Sequence, residues 1–109
     1  MDRERRLRKR SDFLAVQHRG TWWSNKLLGI RVLANEAGRS RFGFLVSKRV
    51  GKAVVRNRVK RRLREIARKE PIQEGWDIVM IARSGLAAAT FAETAEAARD
   101  LLKRSRLLE

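Results

Sequence analysis

Cysteine is absent from the 109 residues, and histidine occurs once, as His18. The first absence removes disulfides, thiol nucleophiles and thiolate zinc sites together. The second removes histidine metal clusters, and Ser–His pairs anywhere but around His18, which itself reads as an exposed residue at a helix end. Acidic residues are scarce as well. The twelve Asp and Glu are scattered and form neither a two-metal nuclease cluster nor a clear acid/base pair. There is no Gly-rich phosphate loop. No stretch approaches the roughly 20 apolar residues that span a bilayer, and the basic first ten residues lead into no apolar run of the kind a signal peptide needs. These absences predict a soluble, cytoplasmic protein with no catalytic centre or metal site of its own.

What is present is positive charge. Twenty-seven Lys and Arg against twelve acids give a formal charge of +15, which repels itself in the free chain and is explained by a polyanionic partner. Nucleic acid fits better than an anionic membrane surface, because arginines outnumber lysines and the guanidinium fork suits phosphate and base stacking. With 43% hydrophobic residues, the chain can still build the core of one domain, and its length leaves no room for a second. Residues 1–10, MDRERRLRKR, read as a basic N-terminal arm, and residues 11–109 as a single RNA-binding domain.

Periodicity supplies the elements. Ser11 stands where an N-cap belongs, ahead of Phe13, Val16 and Gln17 on one helical face, with closure at Gly20. Residues 26–34 and 41–48 are strand-like, and the polar turn between them predicts an antiparallel hairpin, with Phe42, Phe44 and Val46 facing the core. A helix is predicted from Ala53 to just before Pro71, on a stripe of Val55, Val59, Leu63, Ile66 and Ala67. Residues 77–83 predict a central strand. Thr90 and Glu93 form a capping box for a last helix whose stripe is Phe91, Ala95, Ala98, Leu101 and Leu102. With a further short strand around Trp22–Ser24, the order is α-β-β-(β)-α-β-α. This is an α+β fold in which helices pack on a mainly antiparallel sheet as a two-layer sandwich.

The strongest functional signal is residues 47–69, SKRVGKAVVRNRVKRRLREIARK. Arg56, Lys60 and Arg64 line one flank of the apolar stripe, Arg61 and Arg68 extend it, and Arg58, Arg62 and Lys69 take the other flank. Like charges on neighbouring turns cost a helix about 0.2–0.5 kcal/mol per pair. Solubility does not require that cost, whereas phosphate neutralisation uses it. Ahead of the helix, Lys48, Arg49 and Lys52 flank Gly51 at an N-terminus able to receive phosphate. Asn57 offers a neutral donor and acceptor. For stacking on a single strand, Phe13 is the candidate, with a core role equally open to it. One of Trp22 and Trp23 must point outward if their segment is extended, and Trp76 reads as a lid on the core.

The stretch SKRVGKAVVRNRVKRRLRE resembles the signature of the bacterial ribonuclease P protein subunit family, with its Arg-Asn-Arg core at Arg56, Asn57 and Arg58. The likeness continues through RLRKRSDFLAVQHRG and DIVMIARSGLAAATFAE, in order along most of the chain. The resemblance implies a protein that works with a catalytic RNA and with Mg2+ held mainly by that RNA, removing the 5′ leader of precursor tRNA. It places Lys48, Arg49, Lys52, Arg56, Asn57, Arg58 and Arg61 at the catalytic RNA. Phe13, Gln17, Arg31, Lys60 and Arg64 fall at a leader cleft between the first helix and the sheet. Gln17 and Arg31 stand where the family commonly has aromatics, so polar or charge contact is expected there in place of stacking. The resemblance also implies a left-handed strand-helix-strand crossover and a protein monomeric within its holoenzyme. A small ribosomal RNA-binding protein with no substrate role fits the composition equally well. A DNA-binding helix fits poorly, for want of zipper heptads or helix-turn-helix spacing.

Overall fold

The structure is a computed structural model and describes residues 3–109; Met1 and Asp2 of the basic arm lie outside the described residues. After a 3-10 turn at Arg3–Arg5 come α1 (Arg10–Arg19), β1 (Thr21–Ser24), β2 (Leu28–Ala34), β3 (Arg41–Leu45), α2 (Ala53–Lys69), β4 (Trp76–Ala82), a second 3-10 turn (Ser84–Ala88) and α3 (Phe91–Arg104).

The helices form for identifiable reasons. In α2, Val59, Leu63, Ile66 and Ala67 are buried along one stripe, and the helix stops where Glu70, ahead of Pro71, gives its N–H to the Ile66 carbonyl. At α3 the capping box is complete: Thr90 N–H donates to Glu93 Oε1 at 2.8 Å, and Glu93 N–H donates to Thr90 Oγ1 at 3.1 Å. The bond from Thr90 N–H, followed by the Thr90 side chain, holds the Glu93 carboxyl below the usual carboxylate range. The buried stripe of α3 is rotated from the expected one, being Thr94, Ala97, Ala98, Leu101 and Leu102, and Phe91 is left exposed. Helix α1 begins at Arg10 with Lys9 in the N-cap position and no side-chain cap, so Ser11 lies inside the first turn.

The sheet corrects one expectation. The order is β1-β2-β4-β3, so residues 26–34 and 41–48 do not pair as a hairpin. Strand β4 lies between them, antiparallel to β2 and parallel to β3. Residues 78–82 are so apolar that an edge position would waste them, and in the centre Ile78, Val79 and Met80 are all buried. The turn after β2 does reverse the chain, braced by Asn35, whose Nδ2 donates to the Arg39 carbonyl and whose Oδ1 accepts from Ala37 N–H. It spans two strand spacings, about 10 Å, instead of one. The hairpin that forms is β1–β2, which sets Trp22 opposite Arg31. Strands β3 and β4 are the parallel neighbours joined through α2.

Strand alternation divides the side chains between two faces. Leu28, Ile30, Val32, Phe42, Ile78 and Met80 meet α2 and α3 in the main core, where Phe44, Trp23 and Trp76 also pack. On the other face α1 crosses the sheet, and a smaller cluster of Leu7, Val16 and Val79 forms with Phe13, Leu33 and Ile81 around it. The arm joins this second layer. Leu7 is buried and its N–H donates to the Phe42 carbonyl at 2.8 Å, while Arg6 bridges Phe42 in parallel. Arg5 grips Glu74 through two bonds of 2.9 and 3.0 Å. Residues 3–9 therefore run along the outer edge of β3, because one leucine among the cations finds an apolar seat there.

Candidate nucleic-acid interface

Two surfaces emerge, one on each side of the sheet. The first is the loop before α2 and its opening turns. Lys48, Arg49 and Lys52 are exposed, and Lys52 occupies the N-cap position with no side-chain cap and no acid in the first turn. The first N–H groups of α2 and the positive end of its dipole are thus open to an anion. Asn57 and Arg61 are exposed on the same helix. Arg56 braces the loop, its Nε donating to the Gly51 carbonyl at 3.2 Å.

Arg58 turns to the other flank. Its guanidinium donates to the Ala87 carbonyl at 3.2 Å, and Arg62 does the same to the Ala89 carbonyl at 3.1 Å. Both arginines dock α2 onto the Ser84–Ala88 turn, a contact that helical periodicity alone cannot reveal. The single acid of the helix, Glu65, binds Lys69 at 3.0 Å and Arg68 at 2.8 Å, which lowers its carboxyl below the ordinary range. Neutralisation is thereby confined to the C-terminal end. Among the described residues, no ion pair involves Lys48, Arg49, Lys52, Arg56 or Arg61.

The second surface is a groove of about 500 Å³ beside α1, whose lining includes Phe13, Gln17, Trp22, Arg31, Leu45 and Ile81. Two glycines shape it by allowing rings to lie flat on the sheet. A Cβ at Gly43 would stand 2.4 Å from the Phe13 ring, and one at Gly29 would stand 2.1 Å from the Trp22 ring. Phe13 packs on Gly43 and also lines the groove. Across from it, the Arg31 guanidinium sits 4.9 Å from the centroid of the Trp22 ring.

The groove gathers three of the five residues expected at a leader cleft: Phe13, Gln17 and Arg31. Lys60 and Arg64 are carried by α2 in the layer across the sheet and do not line it. Arg64 Nε is buried without a hydrogen-bond partner among the described residues. Sequence reasoning missed Trp22 as part of this site. It required one tryptophan of the pair to face outward, but only the β1–β2 register puts that ring beneath Arg31. Trp22 thus brings an aromatic ring into the groove from the neighbouring strand.

Among the described residues no group of three His, Cys, Asp or Glu side chains could hold a metal ion, and His18 is exposed at the end of α1. The buried carboxylate Asp77 is occupied structurally, accepting from Arg41 Nε and Arg41 Nη2 at 2.8 Å each and from Asn35 Nδ2 at 2.8 Å. No helix among the described residues is long and apolar enough to cross a membrane.

Comparison with known proteins points to one family. The family model for Ribonuclease P matches residues 1–106. The chain is 43% identical over 107 residues to the Ribonuclease P protein component of Clostridioides difficile strain 630, covering 95% of this chain and 94% of the relative. It is 42% identical over 108 residues to that of Dehalococcoides mccartyi strain CBDB1, covering 99% and 90%. Among solved structures, the RNase P protein from Thermotoga maritima superposes with a TM-score of 0.83 at 37% identity, covering 91% of this chain and 96% of that one. The Staphylococcus aureus RNase P protein gives a TM-score of 0.86 at 29% identity, covering 96% and 98%.

Proposed function

Since the chain belongs to the ribonuclease P protein family, we propose that it binds the RNase P RNA through the loop and opening turns of α2, and the 5′ leader of precursor tRNA in the groove beside α1. The holoenzyme is an endoribonuclease acting in tRNA processing. Its hydrolytic centre and its Mg2+ ions are assigned to the RNA, and the protein contributes binding and charge screening. One copy of the protein per holoenzyme and a cytoplasmic location complete the reading.

The observation that carries this assignment is the separation of the two surfaces. Unpaired cations and an uncapped helix N-terminus stand on one side of the sheet, suited to a folded phosphate backbone. A narrow groove with rings and a guanidinium stands on the other, suited to unpaired bases. A protein with a single RNA partner and no substrate has no use for the second surface.

The docking of Arg58 changes how the first surface is tested. Arg58→Ala removes a bond to the Ala87 carbonyl and so lowers stability along with RNA affinity, whereas Asn57→Ala and Arg61→Ala alter exposed side chains. Titration of refolded protein against RNase P RNA should show Arg61→Ala weakening association several-fold with unchanged thermal stability, and a salt slope shallower by roughly 0.7–0.9. Unchanged association in an Arg56→Ala, Arg61→Ala double variant would remove the α2 surface from the RNA contact.

A further inference from the structure

Beyond the groove lies a cationic surface that neither assigned role uses. It is an open depression formed by the docked arm, the start of α1 and the first residues of β3, where Arg6, Arg8, Lys9, Arg39 and Arg41 gather against two carboxylates, Glu4 and Asp12. Some of these cations are engaged. Arg41 is held by Asp77 at 2.8 Å and lies 3.6 Å from Asp12, and Arg39 Nε donates to the Glu4 carbonyl at 2.9 Å. Arg6, Arg8 and Lys9 are exposed and take part in no ion pair among the described residues.

The arm holds these three charges in place instead of letting them spread. Burial of Leu7, the Arg6–Phe42 bridge and the Arg5–Glu74 clasp fix the backbone at residues 5–7, and α1 takes over from Arg10. Concentrating unpaired cations on an ordered edge costs the free protein through repulsion and gives the fold nothing in return. The location identifies the anion. Lys9 stands one helical turn, about 6 Å, from Phe13, which lines the groove. The surface assigned to the RNase P RNA stands on α2, across the sheet. A strand leaving the groove past Phe13 meets Lys9 next, then Arg8 and Arg6.

We propose that the docked arm is a second, phosphate-tracking site for the substrate, which receives the part of the 5′ leader farthest from the cleavage point after it has passed through the groove. The proposal rests on the groove reading and extends it, from base stacking near Trp22 to backbone contact at residues 6–9. Recognition here is of charge and not of sequence, since guanidinium and ammonium groups meeting phosphate carry no base information.

The test uses holoenzyme reconstituted with wild-type or Arg6→Ala, Arg8→Ala, Lys9→Ala protein, and precursor tRNAs whose leaders lengthen one nucleotide at a time. Both proteins should bind short-leader substrates equally. Once the leader outgrows the groove, wild-type affinity should rise by roughly tenfold and the triple variant should not follow, its salt slope on the longest leader being shallower by roughly 2. An Arg6→Lys, Arg8→Lys variant should keep the gain. The proposal is overturned if the triple variant gains affinity with leader length as wild type does, or if it loses equally on leaderless tRNA. Trp22→Ala separates the two sites, because it should weaken every leader that reaches the groove. If it were silent while the arm variant still flattened the long-leader gain, stacking on Trp22 would fall and the contact of the arm with the leader would stand.

Discussion

Trp22→Ala is expected to lower the affinity of the reconstituted holoenzyme for leader-bearing precursor tRNA by roughly tenfold or more, because stacking of a base on an exposed ring is worth about 1–3 kcal/mol. Trp22 is 43% exposed and belongs to neither core cluster, so removing its ring opens no core cavity and the fold should tolerate the change. The loss has a second part. Arg31 is steered by its position 4.9 Å over the ring, and without the indole its guanidinium is free to leave the groove, at a cost of about 0.5–1 kcal/mol for such a contact at an exposed site. Trp22→Phe keeps a π-face and should recover most of the affinity. Leaderless tRNA should bind the variant and the wild type alike, and a matching loss on leaderless substrate would mean that Trp22 acts through something other than the leader.

The second large effect concerns stability. Asp77 is 5% exposed and binds Arg41 through two bonds of 2.8 Å, with Asn35 completing its shell. Deleting one partner of a buried pair strands the other, so Asp77→Ala should cost about 3–5 kcal/mol, a large share of the roughly 5–15 kcal/mol that holds a domain together. The double variant Asp77→Leu, Arg41→Met should be far milder, since it removes both charges and keeps the volume. Denaturant unfolding of the three proteins distinguishes these cases. If Asp77→Ala loses less than about 1 kcal/mol, the range of an exposed pair, the carboxylate is not the tie between β2, β3 and β4 that its bonds describe.

Local signals in the sequence held at the end of α2 and the start of α3, though not at α1, where Lys9 takes the N-cap position in place of Ser11. The end of α2 at Lys69 follows from Pro71, and the Thr90–Glu93 capping box follows from two side chains three residues apart. Strand pairing is not local. Residues 26–34 and 41–48 alternate in a way that satisfies either neighbour, and the choice was made by β4, whose apolar run of Ile78 to Ala82 gains most from the centre. The docking of residues 3–9 was not legible for a related reason: among so many cations, the single Leu7 carries no period, yet one buried leucine and one edge strand suffice to seat it.

The candidate site was legible in the same uneven way. The charge of residues 48–61 and the place of Phe13, Gln17 and Arg31 came from sequence and resemblance, and the groove brings those three together. The docking of Arg58 and Arg62 onto the Ser84–Ala88 turn depends on a tertiary contact of 27 to 29 residues' separation, which no helical pattern encodes. Trp22 depends on the β1–β2 register, which becomes readable only once the hairpin is assigned to the correct pair of strands.

The central claim is that this chain serves a catalytic RNA as the part that recognises the leader. The most direct measurement is single-turnover cleavage of precursor tRNA by RNase P RNA at limiting Mg2+, with and without the protein, on substrates with a full leader and with a leader cut back to a single nucleotide. The account predicts that the protein accelerates cleavage of the full-leader substrate and that this advantage collapses when the leader is shortened. Cleavage unaffected by the protein, or enhanced equally on both substrates, would contradict it.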